Sequence, residues 1–244
     1  MLKFILNTSI NWKRATMSSN KDFKGVIFDF NGTLFWDSEK HLEAWRNFSA
    51  RLRGIPFSDE EMYKYMFGRT NEDIIAYAIG RKPTPQMVKD LAEEKESIYR
   101  DMCRKDKANT HLAKGAIEFF EYLKSNNIPM AIATMSEKPN VDFYIEEFNL
   151  LKWFDIDKII YSDGTVKGKP APDIFLKAAK SLGLDIEDCI VFEDAISGFE
   201  AAKSAGAGKV IAVASLHEKS YYEKFHTVDE VISDFEEMLQ HSIG

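Results

Sequence analysis

The sequence predicts a doubly wound parallel α/β sheet with an all-helical domain inserted after its first strand. Three observations predict it. Short apolar runs recur near residues 25–30, 130–134, 158–161, 189–192 and 209–214. Helix-length amphipathic segments separate most of them, the alternation expected of a parallel sheet covered on both faces. Between residues 37 and 107 that alternation stops, and only helical patterns are found.

The first run, Lys24-Gly25-Val26-Ile27-Phe28, has the continuous apolar character of a buried parallel strand. Helical patterns follow at 38–51, 59–67, 71–79 and 84–106, with connecting segments at 34–36 and 106–112. Residues 113–126 then place Ile117, Phe120, Tyr122 and Leu123 close to helical spacing. Residues 172–182 follow a proline start, and 195–205 end at Gly206, a suitable helix stop. A short final strand is expected at 229–233, before a last helix at 234–241. The domain plan is an α/β core of residues 21–36 and 108–244, an inserted helical domain of residues 37–107, and an N-terminal extension of residues 1–20. That extension carries Lys3, Lys13 and Arg14 and no acidic residue. This composition allows an organelle transit peptide, but a disordered or extra segment ahead of Met17 is the favoured reading.

Composition narrows the function classes. A chain of 244 residues can bury a large core. Acidic residues outnumber basic ones by 39 to 32, and no Lys/Arg block stands out, which argues against nucleic-acid binding. No stretch approaches the roughly 20 apolar residues that span a bilayer. Two distant cysteines, Cys103 and Cys189, are too few for a disulfide framework or a zinc site, so a reducing, cytoplasmic setting is expected. A monomer is expected.

Four runs carry chemistry. In Phe28-Asp29-Phe30-Asn31-Gly32-Thr33-Leu34, Asp29 stands at the carboxyl edge of the sheet, where open α/β folds bind ligands. Gly32 lets the backbone turn and bring its N–H groups near a ligand; an aspartate opening a surface turn is the competing reading. Ile132-Ala133-Thr134-Met135-Ser136 puts a hydroxyl at a second strand end, which would otherwise merely cap a helix. In Lys167-Gly168-Lys169-Pro170-Ala171-Pro172-Asp173 two prolines stiffen the loop that holds Lys169. Finally, Ile190-Val191-Phe192-Glu193-Asp194-Ala195-Ile196-Ser197-Gly198 ends a strand with adjacent carboxylates, whose repulsion a bound cation would relieve.

In this order the four runs resemble the haloacid dehalogenase-like hydrolase superfamily, in its β-phosphoglucomutase/phosphatase-like branch with a helical cap. The resemblance implies a Rossmann-like core and a Mg²⁺-dependent phosphatase acting on a small phosphorylated metabolite. It implies that Asp29 is the nucleophile. Asp29, the Asn31 carbonyl and Asp194 would bind Mg²⁺, with Glu193 doing so directly or through water. Thr134 and Lys169 would hold the phosphoryl oxygens, with Gly32 and Met135 beside the substrate. Asn31 departs from the pattern, because the family usually has there an aspartate that moves protons. An amide can orient a water but cannot transfer a proton near neutral pH. His41 is the nearest substitute in the cap. Arg69 and Asn71 lie in a segment resembling the substrate-facing cap loop, with Asn71 where mutases place an arginine. That favours a monophosphate substrate. A sugar phosphomutase and a non-catalytic phosphometabolite-binding protein are the alternatives.

Overall fold

The computed structural model describes residues 23–65 and 71–240. The expectations for residues 1–20 and for Arg69 lie outside them. Among the described residues six strands form one sheet: β1 (Gly25–Phe28), β2 (Met130–Glu137), β3 (Ile159–Ser162), β4 (Cys189–Glu193), β5 (Lys209–Val213) and β6 (Glu230–Ile232). Their spatial order is β3-β2-β1-β4-β5-β6, and every neighbouring pair is parallel. The winding therefore reverses between β1 and β4, and the crevice beyond the carboxyl ends of those two strands is the binding position of such sheets.

Side-chain alternation builds a different core on each face. Phe28 and Phe192 are register partners on β1 and β4 and stack at 5.3 Å. Phe119, Phe120, Phe154 and Phe235 close around Phe28 edge-on. The neighbouring positions Ile27 and Val191 point to the opposite face, where they meet small residues, Ala178, Ala179, Ala201 and Ala202. Each fully buried large side chain contributes about 1.5–3 kcal/mol.

The described residues divide into two compact units, with boundaries between Trp36 and Asp37 and between His111 and Leu112. The α/β unit adds α5 (Ala116–Ser125), α6 (Lys138–Glu147), α7 (Asp173–Leu182), α8 (Ile196–Ala205), α9 (Lys219–Tyr222) and α10 (Glu236–Gln240). The second unit is helical: α1 (Ser38–Arg53), α2 (Asp59–Tyr65), α3 (Asn71–Ile79) and α4 (Pro85–Lys105). Thr84 caps α4 by accepting the Met87 N–H, and Pro85 occupies its first turn. Trp45, Phe48, Phe57, Met62, Ile74, Ile75 and Ala78 form this unit's own apolar cluster. No helix among the described residues is long and apolar enough to cross a membrane.

Several elements differ from the sequence reading, the short α9 among them, for which it has no helix. β2 continues past Thr134 to Glu137, because Met135, Ser136 and Glu137 emerge at the sheet edge and need no apolar signature. α6 follows at once and has no counterpart in the sequence reading. Its buried residues Asn140, Val141, Phe143 and Tyr144 share one helix face, but Asn140 makes that face partly polar, so apolar periodicity alone does not announce it.

Candidate active site

The site is assembled from the carboxyl end of β1. The Asp29 N–H donates to the Phe192 carbonyl at 2.9 Å, which ties the aspartate to the β4 side of the crevice. The chain then turns back tightly. Leu34 and Phe35 both donate to the Phe30 carbonyl, and Gly32 donates to the Phe35 carbonyl at 2.7 Å. Gly32 has φ +81°, and a Cβ there would stand 2.1 Å from Asp194 Oδ2. Glycine thus serves twice: it adopts the left-handed turn and lets the Asp194 carboxylate close over the loop. The Thr33 hydroxyl donates to Asp194 Oδ1 at 3.0 Å and holds it there.

Lys169 reaches in from the loop before α7. Its Nζ lies 2.5 Å from Asp29 Oδ1 and 2.5 Å from Glu193 Oε1. The other Glu193 oxygen accepts the N–H groups of Asp194 and Ala195 at 2.7 Å each. Both Glu193 carboxylate oxygens are therefore hydrogen-bonded, and the group packs against the first turn of α8 at Gly198. A Cβ on Gly198 would stand 1.8 Å from Glu193 Oε1. Gly198→Ala should accordingly destabilise the fold by about 1–3 kcal/mol, more than the helix-propensity gain of about 1 kcal/mol returns. Urea denaturation of the variant against the parent measures this; an unchanged or raised midpoint would show that Glu193 can move aside.

One carboxylate oxygen from each of Asp29, Glu193 and Asp194 lies within 4.8 Å of the other two, and Lys169 pairs with Asp29 and Glu193. Burial pushes Asp29 up to about 7; Lys169 beside it works against that rise and Glu193 adds to it. Burial, then Glu193 and Asp29, also raise Asp194 well above the usual carboxylate range. Burial alone would lower Lys169, but Asp29 and Glu193 outweigh it and hold the ammonium above its ordinary value. Three carboxyl groups thus cluster with one ammonium, and Asp29 and Asp194 hold their protons more tightly than usual; ionising all three would call for a further cation, and all the donors are hard oxygens. Such a set fits a metal ion.

Asn31 sits beside this cluster and is tied at both ends of its amide. Its Nδ2 donates to the Tyr144 hydroxyl at 2.8 Å. Its Oδ1 accepts from Ser136 Oγ at 2.7 Å and from Thr134 Oγ1 at 3.3 Å. Thr134 in turn accepts the Ser136 N–H at 3.1 Å. Ser136 and Tyr144 were not among the residues singled out from sequence. Two-residue periodicity along β2 could have paired Ser136 with Thr134, whereas nothing local to Tyr144 marks it. Met135 is half-buried on the same strand end, and its Cε lies 3.9 Å from where a Cβ on Gly168 would stand.

His41 and Asn71 belong to the helical unit and are described within it. His41 Nδ1 lies 2.7 Å from Lys95 Nζ, its Nε2 lies 3.3 Å from Asp37 Oδ2, and its ring stacks on Tyr99 at 4.0 Å. Asn71 is exposed at the start of α3.

Known proteins share this arrangement of sequence and fold. A family model described as haloacid dehalogenase-like hydrolase matches residues 23–206. The chain is 30% identical over 194 residues to a phosphorylated carbohydrates phosphatase of Thermotoga maritima, covering 78% of this chain and 85% of that protein. It is 41% identical over 209 residues to a bifunctional riboflavin kinase/FMN phosphatase of Arabidopsis thaliana. That match covers 85% of this chain but only 52% of the bifunctional enzyme, so the chain spans about half its length. Among solved structures, a HAD hydrolase of family IA, variant 3, from Entamoeba histolytica matches with a TM-score of 0.82 and 44% identity. The match covers 89% of this chain and 98% of that one.

Proposed function

The chain belongs to the haloacid dehalogenase-like hydrolase family, and we propose that within it the chain is a Mg²⁺-dependent phosphatase of a small phosphorylated metabolite. The observation that carries this reading is the convergence of Asp29, Glu193, Asp194 and Lys169 at the reversal point of the sheet. Relatives that act on phosphorylated carbohydrates and on FMN support the substrate class. A chain with only two cysteines, both buried, supports a reducing cytoplasmic setting.

Asp29 attacks phosphorus, the bond to the leaving oxygen breaks, and an aspartyl-phosphate forms. Water then attacks that phosphorus, releases phosphate and restores the carboxylate. Lys169 balances charge on the phosphoryl oxygens, and the Thr134 hydroxyl donates to one of them in place of its 3.3 Å contact with Asn31 Oδ1. Asp29, Asp194, Glu193 and the Asn31 carbonyl would hold Mg²⁺. The chemistry a bound Mg²⁺ supplies is offset of the charge between the carboxylates and the phosphoryl oxygens. The leaving oxygen needs a proton, and the Asn31 amide has none to give. Turnover is therefore slow and depends on the leaving group, since general acid–base assistance is worth about 10²–10⁴-fold.

The amide at Asn31 also favours a second reading, a phospholigand-binding protein without turnover. Phosphate release with and without Mg²⁺, across a panel of phosphosugars and FMN, separates the two. Release that requires Mg²⁺ supports the phosphatase; thermal stabilisation by a panel member without release supports the binder. Asn31→Asp should raise turnover of an aryl phosphate about tenfold or more. The three hydroxyls around position 31 can each donate to a carboxylate, so the substitution is accommodated locally. No gain would mean that another group already supplies the proton.

A further inference from the structure

We infer that Tyr144 is a positioning residue of the candidate active site: through the Asn31 amide, its hydroxyl fixes the loop on which Asp29 and the Asn31 carbonyl would hold Mg²⁺. The inference rests on the Mg²⁺ reading proposed above. Tyr144 is 1% exposed, and its ring stacks on Phe30 at 4.4 Å with an interplanar angle of 23°. A phenylalanine would pack as well, so the ring does not explain the hydroxyl. The hydroxyl is used on Asn31, 113 positions away, at 2.8 Å.

The opposite end of the same amide is held by β2, through Ser136 at 2.7 Å and Thr134 at 3.3 Å. A planar amide fixed at both ends has little freedom left at χ1 or χ2. The loop is seated on the same segment of chain by ring contacts, Phe30 on Phe148 at 5.7 Å and Phe35 on Phe148 at 4.9 Å. Those contacts carry no directional information for residue 31. The Tyr144 and Ser136 hydrogen bonds do, because they clamp position 31 between α6 and β2. An asparagine suits this role: near neutral pH its amide donates at one end and accepts at the other, which a carboxylate does not do. Partners one bond removed from a metal ligand typically govern 10–100-fold in affinity.

The test is isothermal titration of MgCl₂ into the full chain, for the parent, Tyr144→Phe, Asn31→Ala and the double variant. Tyr144→Phe should weaken Mg²⁺ binding about tenfold or more. In the Asn31→Ala background the same substitution should change affinity by less than about twofold, since its route is already removed. The metal-free midpoint of Tyr144→Phe should fall by only a few degrees, because the stack on Phe30 remains. With p-nitrophenyl phosphate, the Mg²⁺ needed for half-maximal rate should rise while KM at saturating Mg²⁺ holds. Equal losses in both backgrounds would make Tyr144 a structural residue and overturn the inference. So would an unchanged affinity in Tyr144→Phe. If that variant does not fold, Ser136→Ala tests the other end of the amide against the same expectations. A parent chain that takes up no Mg²⁺ overturns the Mg²⁺ reading itself, and this inference with it, and the parent titration alone reveals that case.

Discussion

Asp29→Asn is expected to cost on the order of 10⁴-fold or more in phosphate release and, in the absence of metal, to stabilise the chain as pH rises. The first effect follows from removing the oxygen proposed to attack phosphorus. The second follows from burial, which holds Asp29 at about 7 in the fold against 3.8 for an ordinary aspartate. Stability from a carboxyl raised in this way is full below about pH 4 and is lost as pH rises through about 7, because the folded chain retains a proton that the unfolded chain has released. Asparagine carries no such dependence. The difference in thermal midpoint between variant and parent, measured in EDTA, should therefore move in the variant's favour from about pH 5 to about pH 8. Midpoints that run parallel across that range would show that Asp29 is charged throughout. Loss of activity without the pH effect would separate the chemical role of Asp29 from the electrostatic one.

Lys169→Met is expected to have the largest effect on stability. The ammonium faces Asp29 and Glu193 at 2.5 Å each, and its side chain is only 8% exposed. Removing one member of a buried ion pair typically costs about 3–5 kcal/mol, because the remaining charge is left uncompensated. Here two carboxylates lose their partner together. The cost should be largest near pH 8 and shrink toward pH 5, as protons replace the missing cation. Added Mg²⁺ should restore part of the midpoint but not the turnover, which should fall about 10²–10³-fold with loss of the cation beside the phosphoryl oxygens. Urea denaturation at both pH values and kcat at saturating Mg²⁺ measure the two effects. A variant as stable as the parent at pH 8 would mean that the carboxylates have another cation or stay protonated.

These two residues also show how much of the site is written in local sequence. Asp29 and Lys169 are both marked locally, one by a strand running into a glycine turn and the other by prolines that stiffen its loop. The pairing of Glu193 with Asp194 is marked by adjacency. Their contacts are not: Lys169 lies 140 positions from Asp29 and 24 from Glu193. Gly32 was legible as a turn, but the proximity of its α-carbon to the Asp194 carboxylate was not. Asn31 was visible as an amide, which moves no proton near neutral pH, while its engagement by Tyr144 and Ser136, over 113 and 105 positions, was not.

The amino-acid sequence alone determined the parallel α/β sheet, the helical stretch after β1, and the residue types that stand at the strand ends. Backbone propensity and apolar periodicity are local quantities, and they act within one turn of helix or a few residues of strand. Only the tertiary structure decided the two-sided role of Glu193, the closure of Asp194 over Gly32 and the clamp on the Asn31 amide. The register of β1 against β4 and the rotation of α6 about its axis set those contacts. Both are fixed by how rings and alanines pack on the two faces of the sheet, a property of many distant residues at once.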